Sequence, residues 1–420
     1  MDDIQTLGAK IGALSEEKPQ RARQLLTAGF RANGVKNKLA SKRSSKSDRM
    51  LFQLVNRAMV TCLAKPQSNV MVSLFTPCEM LHLQGLHPYS CEGFSSYLSG
   101  AMAEQPFLHQ AEDTGIPNSL CSYHKVFIGA AQMGLMPKPR FILSTSLACD
   151  ANTLTFRHLA QFYDVPHFNV DIPFESSPQA VDYVAGQLRQ MGEFLTRQTG
   201  LPLDDGQLAR TVARSQRTMA LYHRGLRLRA GRQVLSDLTS ELLRTAAFHF
   251  LLGTPETEAY ARQLLREITT APPAQGKQLL WIHTTPYWVA PLRHLFAQST
   301  RVQVAACDMS YEGIVEADPT KPYEAMARRL VYSPFNRPAQ RRIDRALEMA
   351  KTVGADGAVW FCHWGCKHTL GGARLGKKAL EEAGLPTLLL DGDSCDRGFG
   401  GEGQAATRME AFLEVLEGMA

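Results

Sequence analysis

No run of about 18 uninterrupted apolar residues occurs in the 420-residue chain, so no membrane-spanning helix is expected. The opening residues, MDDIQTLGAK, have no apolar core and no small-residue cleavage site, which argues against secretion and for the cytoplasm. Catalytic signatures are equally scarce. No G-x-G-x-x-G follows a strand pattern, so a dinucleotide fingerprint is missing. G-x-S-x-G and H-E-x-x-H are absent as well. The string Gly371-x4-Gly376-Lys377-Lys378 has phosphate-loop spacing, but no Ser or Thr follows the lysine to meet magnesium. Its glycines also fall at or inside a helix start, so ATP binding is not expected there. There is no fixed-period repeat and no low-complexity tract.

The 44% hydrophobic and 20% charged residues are those of a globular protein, and the length calls for two or three domains. The formal charge of +6 is modest and largely local, concentrated between Arg21 and Arg49. No aromatic residue interleaves between Arg31 and Arg49, so a base-stacking platform is unsupported. A solvated amphipathic arm packed on a partner or on its own domain is the better reading, and no nucleic-acid partner is expected. Nine cysteines in a reducing compartment read as free thiols or metal ligands rather than disulfides.

The chain alternates apolar strand patterns with helical ones. Residues 1–65 read as a helical arm. An α/β lobe over 66–178 has strands at Met71–Phe75, His87–Ser90, Arg140–Leu147 and His167–Ile172. A loop-rich piece precedes Cys121, and helices follow at Val126–Met133 and Asn152–Phe162. Residues 179–270 are helical throughout and form a bridging segment. A second lobe, 271–420, has strands at Lys277–Thr284, Val302–Ala306, Ala358–Phe361 and Thr387–Leu390. Its helices lie at Arg341–Val353, Gly372–Ala383 and Arg408–Leu416. The expected fold is α/β, two doubly wound Rossmann-like or flavodoxin-like lobes with a helical N-terminal arm and a helical bridging insert.

Ligands of open α/β sheets sit beyond the carboxyl ends of the strands. Cys78, Cys149, Cys307, Cys362 and Cys366 fall at strand ends or in the loops just after, and Cys121 lies in a loop before a helix. Soft sulfur donors converging from loops suit iron–sulfur, zinc or Cu(I). Cys362-x3-Cys366 is neither a zinc-ribbon knuckle nor a thioredoxin motif, so spacing alone supports only a dispersed metal site. Cys62 and Cys395 read as small buried hydrophobes, and His249 as a core residue.

The string HWGCKHTLGGARLGKKALEEAGLPTLLLDGDSCD, followed by TRMEAFLE, resembles the carboxyl-terminal part of 2-hydroxyacyl-CoA dehydratase subunits, and most of all the larger, substrate-binding type. TPCEMLHLQGLHP (76–88), CSYHKVFIGAAQMGLMPKPRFILSTSLACDA (121–151) and YDVPHFNVDIP (163–173) resemble further segments of that family in the same order. The superfamily also contains benzoyl-CoA reductase subunits and double-cubane reductases. The resemblance implies a [4Fe–4S] cluster held between the lobes by three thiolates, Cys121, Cys149 and Cys366, with one iron open to substrate. Cys362 and Cys78 are reserve ligands, and the choice between Cys362 and Cys366 stays open. Glu79 stands where the family has a carboxylate near the active site, as a general base or a substrate-orienting group; its bland reading is a first-turn charge on a helix.

The activity implied is radical elimination of water from a 2-hydroxyacyl-CoA thioester through a ketyl, after one-electron activation. The implied partners are an ATP-dependent iron–sulfur activator and either a homologous second subunit or a second copy of this chain. Cys78, Cys91 and Cys362 raise the thiol count toward an [8Fe–9S] double cubane, so a low-potential reductase is the alternative. A cluster-free structural paralogue is the remaining one.

Overall fold

Apolar residues on both faces of a strand demand cover on both faces, and this chain meets that demand twice. The computed structural model describes residues 3–39, 45–234, 236–311, 315–336 and 338–419. Strands β1 (Asn69–Val72), β2 (His87–Ser90), β3 (Phe141–Thr145) and β4 (His167–Val170) form one parallel sheet in the order β2-β1-β3-β4. Strands β5 (Lys277–Ile282), β6 (Val302–Cys307), β7 (Gly357–His363) and β8 (Thr387–Gly392) form a second, in the order β6-β5-β7-β8. The two sheets repeat one topology. In each, the strand order reverses beside the first strand, which places the ligand crevices at β1/β3 and β5/β7. This is the expected pair of doubly wound lobes.

Helices α1 (Asp3–Glu17), α2 (Pro19–Leu39) and α3 (Lys46–Ala64) precede the first sheet. The arm packs on its own chain: Arg23 donates to the carbonyls of Gly134 and Leu135 at 2.8 Å. Lys42 and Arg43 of the basic run lie outside the described residues. Around the first sheet lie α4 (Glu79–Leu83), α5 (Cys91–Gly100), α6 (Gln105–Asp113), α7 (Ser122–Gln132) and α8 (Asp150–Tyr163). Between the sheets run α9 (Pro178–Thr199), α10 (Asp205–Leu228), α11 (Leu238–Phe250) and α12 (Pro255–Thr270). The second sheet carries α13 (Ala290–Phe296), α14 (Pro322–Val331), α15 (Ala339–Val353), α16 (Lys367–Glu382) and α17 (Glu402–Gly418).

Strand alternation decides which core each residue joins. Val70, Val72, Phe141 and Leu143 point into the large core shared with the bridging helices, whereas Met71 and Ile142 point into a second core with the arm and α5–α8. The segment expected to be loop-rich before Cys121 contains α5 and α6. Three interior serines hide α5 from an apolar pattern: Ser95, Ser96 and Ser99 are buried, and Ser95 donates to the Tyr123 carbonyl at 2.8 Å. The Gly371–Lys378 string lies wholly inside α16, where no phosphate-cradling loop exists.

The lobes meet through the loop after β8. Ser122 donates to Asp393 Oδ1 at 2.6 Å, Gln105 to Asp396 at 2.7 Å, and Arg397 to the buried Glu104 at 2.8 Å. These contacts set α7 of the first lobe against β7 and α16 of the second.

Candidate active site

Three cysteines share one local design. Cys121, Cys149 and Cys366 are the N-cap residues of α7, α8 and α16, and none of the three thiols caps a backbone N–H. The sulfurs are thus left for another partner at the positive ends of three helices, which favour anionic ligands. All three line one cavity of about 620 Å³ between the lobes. Burial, then the neighbouring Cys366, Asp393 and Cys149, pushes the Cys121 thiol well above its ordinary range. Burial and Cys366 push Cys149 up to about 12. Three thiolates confined together repel one another, and a positive core between them would remove that repulsion.

The backbones that bring them together are constrained. Gly365 has φ +77°, and a Cβ there would sit 2.6 Å from the Cys121 nitrogen and 2.8 Å from the Leu120 carbonyl carbon. Only glycine lets the β7–α16 loop lie directly on the start of α7. Ala148, beside Cys149, and His283, just beyond β5, also take positive φ, +68° and +85°, which strains residues that carry a Cβ. Both line the cavity.

The reserve thiols lie elsewhere. His363 faces the cavity, so Cys362, its neighbour on β7, turns to the opposite side of the sheet and contacts the Trp360 carbonyl at 3.7 Å. Cys78 N-caps α4 away from the cavity wall, its sulfur 3.2 Å from the Thr76 carbonyl. Cys62 reaches the wall from α3, where burial alone pushes it up to about 12. Cys307 and Cys395 are buried against backbone carbonyls.

Glu79 is also outside the cavity wall. It is fully buried and held in a two-pronged pair by Arg329 at 2.7 and 3.0 Å, with Ser215 donating at 2.9 Å. Burial works against its ionised form, but Arg329 outweighs it and holds the carboxyl below its ordinary range. The pair ties α4 to α10 and α14.

Sequence reasoning passed over three polar groups that do face the cavity. His363 Nδ1 accepts from the Ser394 N–H at 3.1 Å, which leaves the proton on Nε2, 3.2 Å from Cys121 Sγ. An N–H donor therefore points at that sulfur. His283 has a buried Nδ1 with no protein partner, while its backbone N–H donates to Asp308 at 2.7 Å. Glu92 accepts from the Leu74 N–H at 3.1 Å, and burial raises its carboxyl from 4.5 to about 7. The sequence signal available for each was position alone: His283 and His363 end strands at a switch point, and Glu92 opens α5.

Residues 73–416 match the family described as HGD-D, 2-hydroxyglutaryl-CoA dehydratase, D-component. The chain is 22% identical to the (R)-phenyllactyl-CoA dehydratase alpha subunit of Clostridium sporogenes over 337 residues, covering 74% of this chain and 80% of that one.

Proposed function

The chain belongs to the 2-hydroxyglutaryl-CoA dehydratase D-component family, and on that premise we propose that it is the iron–sulfur subunit of a 2-hydroxyacyl-CoA dehydratase. As a member it is a hydro-lyase component of the dehydratase type. The observation that carries the finer reading is the convergence on one cavity, from both lobes, of three N-cap thiols that cap no backbone N–H.

The donor set fits a [4Fe–4S] cluster with one iron left open. Among the described residues no three His, Cys, Asp or Glu side chains close on a single ion. Thiols spread around a cavity suit a multi-iron core whose own sulfides fill the middle. Cys121, Cys149 and Cys366 would hold it. Bound there, such a cluster supplies the low-potential electron that makes elimination from a thioester with a barely acidic β-hydrogen feasible. The larger double cubane has less support, because Cys78, Cys91 and Cys362, the thiols it would add, all lie away from the wall.

The protein's own residues divide the remaining work. The Nε2–H of His363 donates to Cys121 Sγ and steadies negative charge on it. His283 Nδ1 is free to meet a substrate oxygen. Glu92, whose Oε1 accepts from the Leu74 N–H and whose Oε2 accepts from the Ser90 hydroxyl at 3.4 Å, is the carboxyl that lines the cavity and would protonate the departing hydroxyl. The relative's designation as an alpha subunit supports a second subunit. An ATP-dependent activator would deliver the electron.

The test is conversion of a 2-hydroxyacyl-CoA to its 2-enoyl-CoA under exclusion of oxygen, with the second subunit and the activator present. Product is expected only with activator and ATP. Turnover independent of both, or none with all components loaded, would overturn the proposal.

A further inference from the structure

The family match begins at residue 73, yet one wall of the cavity is built from residues before it. Phe30 of α2, and Phe52, Val55 and Met59 of α3, line the cavity together with Tyr89 and Phe250. The arm is therefore part of the cavity wall and lies outside the matched range. The wall is also almost free of fixed charge. Its two cationic side chains among the described residues, Lys36 and Arg293, are solvent-exposed, and its one carboxyl is Glu92. Nothing inside offers an ammonium or guanidinium to a second carboxylate. Burying such a group unpaired, in a space that already holds a carboxyl, is strongly unfavourable.

Building on the thioester reading above, we infer that the acyl group received here is apolar, aliphatic or aromatic, and that α2 and α3 of the arm set this selectivity. A dicarboxylic acyl group is rejected by the same surface. Lys36 and Arg293, at the exposed edge, are placed for the anionic end of the ligand, which stays in water.

The test is calorimetric titration of the complete enzyme, purified without oxygen, with CoA and with butyryl-, hexanoyl-, 3-phenylpropionyl- and glutaryl-CoA. These lack the 2-hydroxyl and are not turned over. Affinity should rise about fourfold for each methylene from butyryl to hexanoyl. Glutaryl-CoA should bind at least about tenfold more weakly than hexanoyl-CoA. Phe52→Arg, at a half-buried wall position, should narrow that gap at least about tenfold by pairing the distal carboxylate. Glutaryl-CoA binding as tightly as hexanoyl-CoA, or a gap unchanged in a folded Phe52→Arg variant, overturns the inference and leaves the thioester reading standing. No thioester binding better than CoA itself overturns the thioester reading, and this inference with it.

Discussion

Replacing Gly365 by alanine probes the contact on which the site depends. Two separate costs arise. The residue sits at φ +77°, where a Cβ costs about 1–2 kcal/mol. The same Cβ would stand 2.6 Å from the Cys121 nitrogen and 2.8 Å from the Leu120 carbonyl carbon, against backbone that cannot rotate away. Overpacking of that kind costs about 1–3 kcal/mol more. Gly384 supplies the control, because its φ is +83° but nothing lies within 4 Å of its Cβ position. Gly384→Ala should therefore lose only the strain, about 1–2 kcal/mol, and keep its metal. Gly365→Ala should lose about 2–5 kcal/mol in urea unfolding and shed iron, since relief requires α7 to move away from α16. Equal unfolding free energies for the two variants, with full iron in both, would refute the idea that the lobes are locked at this point.

Three further expectations address the polar groups. The Glu92 carboxyl is raised in the folded state from 4.5 to about 7, so its contribution is present in full below about pH 4.5 and is lost as pH rises through 7. Glu92→Gln should therefore match wild type near pH 4 and be more stable by about 1–3 kcal/mol at pH 8; equal pH profiles in chemical unfolding would contradict this. His283→Gly should relieve the +85° backbone and stabilise the fold by about 1 kcal/mol, while kcat/KM falls about 100-fold at unchanged iron content. Unchanged kcat/KM would remove His283 from substrate contact. Glu79→Ala should cost about 3–5 kcal/mol by removing the buried carboxylate from its two-pronged pair with Arg329, with iron content and the kcat of folded enzyme within about twofold. A collapse of kcat at unchanged stability would make Glu79 the base that its position in the sequence suggests.

Most strands were legible as short apolar runs bounded by turn residues: β7 is nearly continuous hydrophobe and β5 is so from Leu279, whereas β2, HPYS, carries little of that signal. Topological repetition was not legible, since two sheets can share a strand order with no shared sequence period. Helix starts were read late: α16 begins at Lys367 rather than near Gly372, and α7 at Ser122 rather than Val126. Both begin directly after a cysteine that does not cap through its side chain, so no Ser, Thr, Asp or Asn marks the boundary. The same feature makes those cysteines available. Spacing left Cys362 and Cys366 unresolved because it does not tell that Cys362 lies on β7, on the face opposite the cavity-lining His363, while Cys366 lies beyond the strand as the N-cap of α16 and lines the cavity. His283 escaped notice because neither its strain nor its unpartnered nitrogen leaves a mark in sequence.

The most direct test is iron and acid-labile sulfide per chain in protein purified without oxygen, for wild type and for Cys121→Ala, Cys149→Ala, Cys366→Ala, Cys362→Ala and Cys78→Ala. About four irons are expected in wild type and in the last two variants, with loss in the first three. Iron-free but folded wild-type protein, or a cluster that survives Cys366→Ala and disappears with Cys362→Ala, would contradict the assignment.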